Sequence, residues 1–203
     1  MGQRSQIYIK WNVTDNNRKY EGFIARYYQW NYGERMLSRA RGVIEHLEYY
    51  LKYPCVFGNI WDKEKLARIA DTNFDMRDIA ASSNICKEYE EYGQGCTFED
   101  FVFYEQDNND GQLFIDVTDE GIKYAFAMEW GNWEYKPIDP EQYMIDDECG
   151  GKDWRKPAKE REYLDYTEDN IKYITENATL MTSEEIDEFI ADAKRIYRGG
   201  GAV

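Results

Sequence analysis

A chain of 203 residues with 40 Asp/Glu against 25 Lys/Arg carries a formal charge of −15, a field that repels nucleic acid and attracts basic proteins. Its 16% aromatic content, with 18 Tyr and 6 Trp, excludes a disordered acidic tail and predicts one α+β domain over 1–203 with a loose tail at 199–203. No apolar run approaches the roughly 18 residues of a membrane span, and the first residues lack the apolar segment of a secretory signal, so the expectation is a soluble, cytoplasmic protein with no membrane partner.

Gln6 to Val13 alternates, with Ile7, Ile9, Trp11 and Val13 on one face and Tyr8, Lys10 and Asn12 on the other, which predicts a strand. The polar turn Thr14-Asp15-Asn16-Asn17 and the run Phe23 to Trp30 make its hairpin partner. After Gly33 the period becomes helical, with Leu37, Ala40, Ile44, Leu47 and Leu51 on one stripe until Pro54. A second helix is predicted from Asp62, its cap, to Ala70, and a third between Ile79 and Tyr92. A meander follows: Phe101 to Glu105, a turn at 107–111, Leu113 to Val117, a turn at 119–121, and Ile122 to Trp130. Asp139-Pro140-Glu141 starts a short helix, 146–159 reads as a loop, and helical patterns resume near Glu160. Thr182 with Glu185 forms a capping box for a last helix striped by Ile186, Phe189, Ile190, Ala193 and Tyr197, closed by Gly199. The expected fold is an antiparallel sheet, made of the N-terminal hairpin and the central meander, packed with the 33–53 helix and the carboxyl-terminal helices.

Charge is segregated along the chain. Residues 1–50 hold eight basic and five acidic side chains, whereas the rest hold 17 and 35. Eleven carboxylates lie between residues 88 and 120 with no Lys or Arg among them: Glu88, Glu90, Glu91, Glu99, Asp100, Glu105, Asp107, Asp110, Asp116, Asp119 and Glu120. Asp139, Asp146, Asp147 and Glu148 extend this set. Carboxylates so arrayed can imitate phosphates and occupy an arginine-rich groove on a basic protein, so these residues are the candidate partner-binding set. The same field argues against direct nucleic-acid binding, and Arg35, Arg39 and Arg41 are better suited to ion pairs with nearby glutamates.

Other chemistry is weakly signalled. Cys55, Cys86, Cys96 and Cys149 contain no CxxC pair, so buried thiols are expected. A zinc site from Cys86, Cys96 and Cys149 is the metal alternative, and otherwise no cofactor is expected. Gln106-x-Asn108-x-Asp110-Gly111 resembles the front of a calcium loop but lacks a carboxylate at position twelve, which is Val117. Asp116 with Glu134-x-Lys136 imitates the metal-dependent nuclease pattern, which makes a nuclease the alternative reading. The lone His46 has no triad partner at a recognisable spacing, and no glycine-rich phosphate loop is present.

The stretches Gly2 to Ile9, Ala25-Arg26-Tyr27-Tyr28-Gln29-Trp30-Asn31-Tyr32-Gly33-Glu34-Arg35-Met36, Ser38-Arg39-Ala40-Arg41 and Asn109 to Asp116 resemble small uncharacterised proteins of phages and prophages of Gram-positive bacteria. The resemblance covers residues 2–41 and 109–130 and brings no catalytic residue. It implies a phage protein in the host bacterial cytoplasm, of the kind that inhibits defence nucleases. Anti-CRISPR proteins against type II Cas9 are the group it points to, and a phage structural or regulatory role is the other alternative.

Overall fold

The computed structural model describes residues 4–53, 61–72, 81–106, 110–128, 134–146 and 167–201. Strands β1 (Arg4–Asp15) and β2 (Arg18–Gln29) form the expected hairpin, with Asn16 and Asn17 at its turn in the left-handed conformation that asparagine tolerates. Helices α1 (Glu34–Lys52) and α2 (Lys63–Ala70) follow, the second capped by the Asp62 carboxylate, which accepts from the Glu64 and Lys65 amides. Next come β3 (Ala81–Asn84), α3 (Ile85–Tyr92) and a single π-helical turn, Asp100–Tyr104. The hairpin β4 (Gln112–Thr118) and β5 (Gly121–Ala127) leads to α4 (Pro140–Asp146), α5 (Thr167–Asn177), β6 (Thr179–Leu180) and α6 (Ser183–Arg198).

The fold is α+β, but its sheet is mixed rather than antiparallel. The strand order is β3-β2-β1-β4-β5-β6; β1 runs parallel to β4 and β5 parallel to β6, while the other neighbours are antiparallel. The physical reason lies in burial. A β1 with one wet face would suit an antiparallel edge, whereas on the side of Tyr8, Lys10 and Asn12, Tyr8 is fully buried and Lys10 nearly so. Helices cover both sides. On one, α1, α2, α4 and α5 pack on Ile7, Ile9, Trp11, Val13, Leu113, Ile115 and Phe126. On the other, α3, the π-helical turn and α6 pack on Tyr8, Phe23, Ala25, Phe114 and Ala125.

The expected strand Phe101–Glu105 is the π-helical turn. Its buried residues, Val102 and Phe103, are neighbours rather than alternate, with Phe98 buried four residues before Val102 at helical spacing, and Thr97 holds its start by accepting from the Asp100 amide. The turn's carbonyls are taken up by side chains from the sheet and from the segment before α4. Tyr8 Oη donates to Val102 O at 2.8 Å, and Gln112 Nε2 and Tyr135 Oη both donate to Phe103 O. Trp11 lies across its partner Gly22, where a Cβ would stand 2.0 Å from the indole, so only glycine lets the ring cross the hairpin. Within the stretch 199–203, the Gly201 carbonyl accepts from Phe23 N at 3.2 Å, and 202–203 lie outside the described residues. The loop over 146–159 and the helical start near Glu160 lie outside the described residues, apart from Asp146 in α4.

Candidate functional site

The carboxylates of α3 and the π-helical turn meet those of α6 on one face of the molecule. On α6 the buried stripe Ile186, Phe189, Ile190, Ala193 and Ile196 faces the sheet, so Glu184, Asp187 and Glu188 are exposed on its outer side. Beside it, α3 buries Ile85 and Cys86 and turns out Glu90 and Glu91. The three elements share one field: burial and then the charges of Asp187, Asp100 and Glu99 hold the Tyr104 phenol above its usual range. Burial followed by the Glu90 carboxylate does the same to Tyr197, which joins α3 to the far end of α6.

Several cations of this layer are engaged by carboxylates, and one of them, Lys10, is buried. Lys10 reaches Asp116 at 3.1 Å and Asp192 at 3.0 Å beneath α6, and its ammonium lies 5.2 Å from the centre of the Phe189 ring. Lys194 pairs with Glu99, Lys123 with Glu185 at 2.7 Å, and Arg195 with Glu21 through two hydrogen bonds of 2.8 and 2.6 Å. Glu88, Glu90, Glu91, Asp100, Glu105, Glu184, Asp187 and Glu188 form no ion pair among the described residues. Tyrosines are set between them. Tyr92 is 72% exposed, Tyr197 stacks on Phe98 at 4.4 Å, and Tyr104 stacks on Tyr135 at 5.5 Å. Aromatic rings fixed in this way beside charges are the composition of a protein-binding surface.

Not every carboxylate proposed from the sequence belongs to this face. Asp110 is 1% exposed and braces the sheet, exchanging hydrogen bonds with the Arg4 backbone while its carbonyl accepts from Tyr143 Oη. Asp116 lies under α6, and burial outweighs Lys10 to hold its carboxyl above the usual range. Glu99 is engaged by Lys194. Asp119 caps the other hairpin by accepting from Thr14 N at 2.7 Å, and Glu120 is exposed beside it. Asp139 caps α4 through Gln142 N, and Asp146 accepts from the Gln142 amide. Asp107, Asp147 and Glu148 lie outside the described residues. Sequence reasoning passed over Glu184, Asp187 and Glu188, although the apolar stripe of α6 already placed them on its opposite side.

The other candidate chemistries do not assemble among the described residues. Cys86 is buried and its thiol is pushed up to about 12 by burial; burial, then the Glu105 hydrogen bond and charge, raise Cys96 as well. Cys55 and Cys149 lie outside the described residues, and among those described no group of three metal-ligating side chains occurs. Asp116 is committed to Lys10 beneath α6, whereas Glu134 and Lys136 are exposed on either side of buried Tyr135. His46 is exposed on α1, with Nδ1 2.8 Å from Gly42 O. Arg39 is fully buried, held by Asn31 and by the carbonyls of Ala70 and Thr72, while Arg41 meets Asn170 at 3.2 Å.

Known proteins offer no template for this arrangement. No family model, no curated protein and no solved structure matches the chain. No helix among the described residues is long and apolar enough to cross a membrane.

Proposed function

We propose that this protein acts stoichiometrically, by laying the face formed by α3, the π-helical turn and α6 into a basic nucleic-acid groove of a protein partner. The observation that carries this reading is the coincidence, on one face, of eight carboxylates that form no ion pair among the described residues and of tyrosines that stack on other rings. Carboxylates in such a field meet arginines as phosphates do, and the rings supply area that excludes water around the charges. A type II Cas9 nuclease of the host is the partner that the phage-protein resemblance implies. Its PAM-reading and guide-holding arginines are groups of the required chemistry.

The test is retention of PAM-containing DNA by guide-loaded Cas9 in the presence of the purified protein. Loss of DNA binding at equimolar inhibitor, with association slowed as salt rises, is the expected result. The triple variant Glu90→Lys, Glu91→Lys, Asp187→Lys should lose the effect while keeping the wild-type melting profile. Full DNA binding in the presence of excess protein at low salt would overturn the choice of partner. Inhibition that survives charge reversal would overturn the choice of face.

A further inference from the structure

A hollow of about 360 Å³ opens at the other side of the sheet, where the β4–β5 turn meets the end of α5 and the start of β6. Thr118, Glu120 and Gly121 form one wall, and Thr175, Glu176 and Asn177 another. Its chemistry is one-sided. Among the described residues Glu120 and Glu176 are exposed and form no ion pair, whereas Lys123, the one cation of the described lining, is paired with Glu185. The last turn of α5 faces the same space and contains no basic residue, so the negative end of that helix dipole is left uncompensated there. Threonine hydroxyls and the Asn177 side chain add oxygen acceptors.

Three features together define the ligand: negative potential from two carboxylates and a helix end, oxygen acceptors on both walls, and a volume far larger than a bare ion. A divalent metal prefers six or more oxygens close around it, and no group of three His, Cys, Asp or Glu side chains converges among the described residues. A planar guanidinium with its aliphatic stem suits this space, since its five donors can address the carboxylates and the carbonyls at once. We propose that the hollow between the β4–β5 turn and the end of α5 is a binding site for a guanidinium group, that of an arginine side chain. The site is argued from the hollow alone, so it stands or falls separately from the α3–α6 face.

The experiment is a two-dimensional amide NMR titration of the full chain with Nα-acetyl-arginine amide, beside its neutral isostere Nα-acetyl-citrulline amide and beside calcium chloride. Saturable shifts confined to Gly121, Lys123 and residues 175–179 are expected with the arginine compound and not with citrulline. Glu120→Gln with Glu176→Gln should weaken binding roughly three- to tenfold without altering the melting profile, both side chains being exposed. Tighter binding of the blocked amide than of free arginine, whose carboxylate the two glutamates repel, assigns the group to a polypeptide; the reverse order assigns it to the free amino acid. Equal shifts with citrulline, equal shifts with calcium, or no shift at these residues would each overturn the proposal.

Discussion

The two layers that cover the sheet hold their most buried cation in opposite ways. Under α1 and α2 the buried cation Arg39 is held by neutral oxygens, those of Asn31, Ala70 and Thr72, with its guanidinium 4.6 Å from the centre of the Tyr28 ring. On the α6 side the cations meet carboxylates: Lys10, buried beneath the helix, with Asp116 and Asp192, and at the surface Lys194 with Glu99 and Arg195 with Glu21. The difference explains the acidic exterior. A chain with 15 more acids than bases needs only to pair its cations with carboxylates on one side for the remaining acids there to dominate the surface, and the second layer pairs Lys10, Lys123, Lys194 and Arg195 in this way.

The largest expected effect tests the first layer. Arg39→Met should cost about 2–4 kcal/mol, because it leaves the buried Asn31 amide oxygen without its donor and the Ala70 carbonyl with Tyr28 Oη alone. Urea denaturation followed by tryptophan fluorescence reads the loss. A cost below about 1 kcal/mol would mean that water replaces the guanidinium and that the two layers are not distinct.

A cycle on Lys10 and Asp116 sharpens the comparison from the other side. Lys10→Met should cost about 3 kcal/mol, since it strands Asp116 under α6, with Asp116 Oδ1 already buried and without a hydrogen-bond partner. Adding Asp116→Asn should recover at least half of that, because the stranded charge is then gone. Additive costs in the same denaturation assay would show that the ion pair does not fasten the layer.

Acid titration separates the carboxylates by sign. Hydrogen bonding to Arg195 holds Glu21 below its usual value, and hydrogen bonding to Lys123 does so for Glu185. For Asp192, burial pulls upward, but the hydrogen bonds and charges of Lys10 and Arg195 outweigh it. A folded-state value below the unfolded one supplies stability above the unfolded pKa, which is lost as pH falls through the folded one. Asp116, raised by burial, has the opposite sign: its contribution favours the fold at low pH and is lost as pH rises through its folded value. Melting curves from about pH 6 to pH 3 should therefore fall less steeply for Asp192→Asn than for the wild type, and more steeply for Asp116→Asn.

The pattern of the sequence carried most elements but not their environment. The β1–β2 and β4–β5 hairpins, α1, the Asp62 cap, the start of α4 at Pro140 and the Thr182 capping box all follow from local signals, and all are present. The mixed sheet does not follow locally. Alternation in Gln6–Val13 says which residues share a side but not whether the polar side is covered, and Tyr8 and Lys10 are covered by residues of the π-helical turn and α6, about a hundred and about 180 positions away. Phe101–Glu105 reads as a strand because aromatic residues favour strands, yet its packing on Tyr8, Gln112 and Tyr135 selects a turn. Strands as short as β3 and β6 contain too few residues to show a period. The candidate face was legible in its charge and not in its membership: a run of acids along the chain includes Asp110 and Asp116, which point inward, and omits Asp187, which is distant in sequence and adjacent in space.

The smallest effect separates capping from charge at the start of α6. Glu185 has two roles there, accepting from Thr182 N at 2.8 Å in the capping box and pairing with Lys123. Thr182→Ala removes the hydroxyl that satisfies the Glu185 amide and should cost about 1 kcal/mol by urea denaturation. Glu185→Gln keeps an acceptor for the Thr182 amide and removes only the partly exposed ion pair, so its cost should stay within about 0.5 kcal/mol and shrink further in salt. If Glu185→Gln proved the costlier of the two, the charge on Glu185 would be fastening the helix. The ion pairs under α6 would then account for its docking, and the ring packing of Phe189 would be secondary. The opposite order leaves the aromatic core to hold α6 in place and the ion pairs to decide which charges face outward.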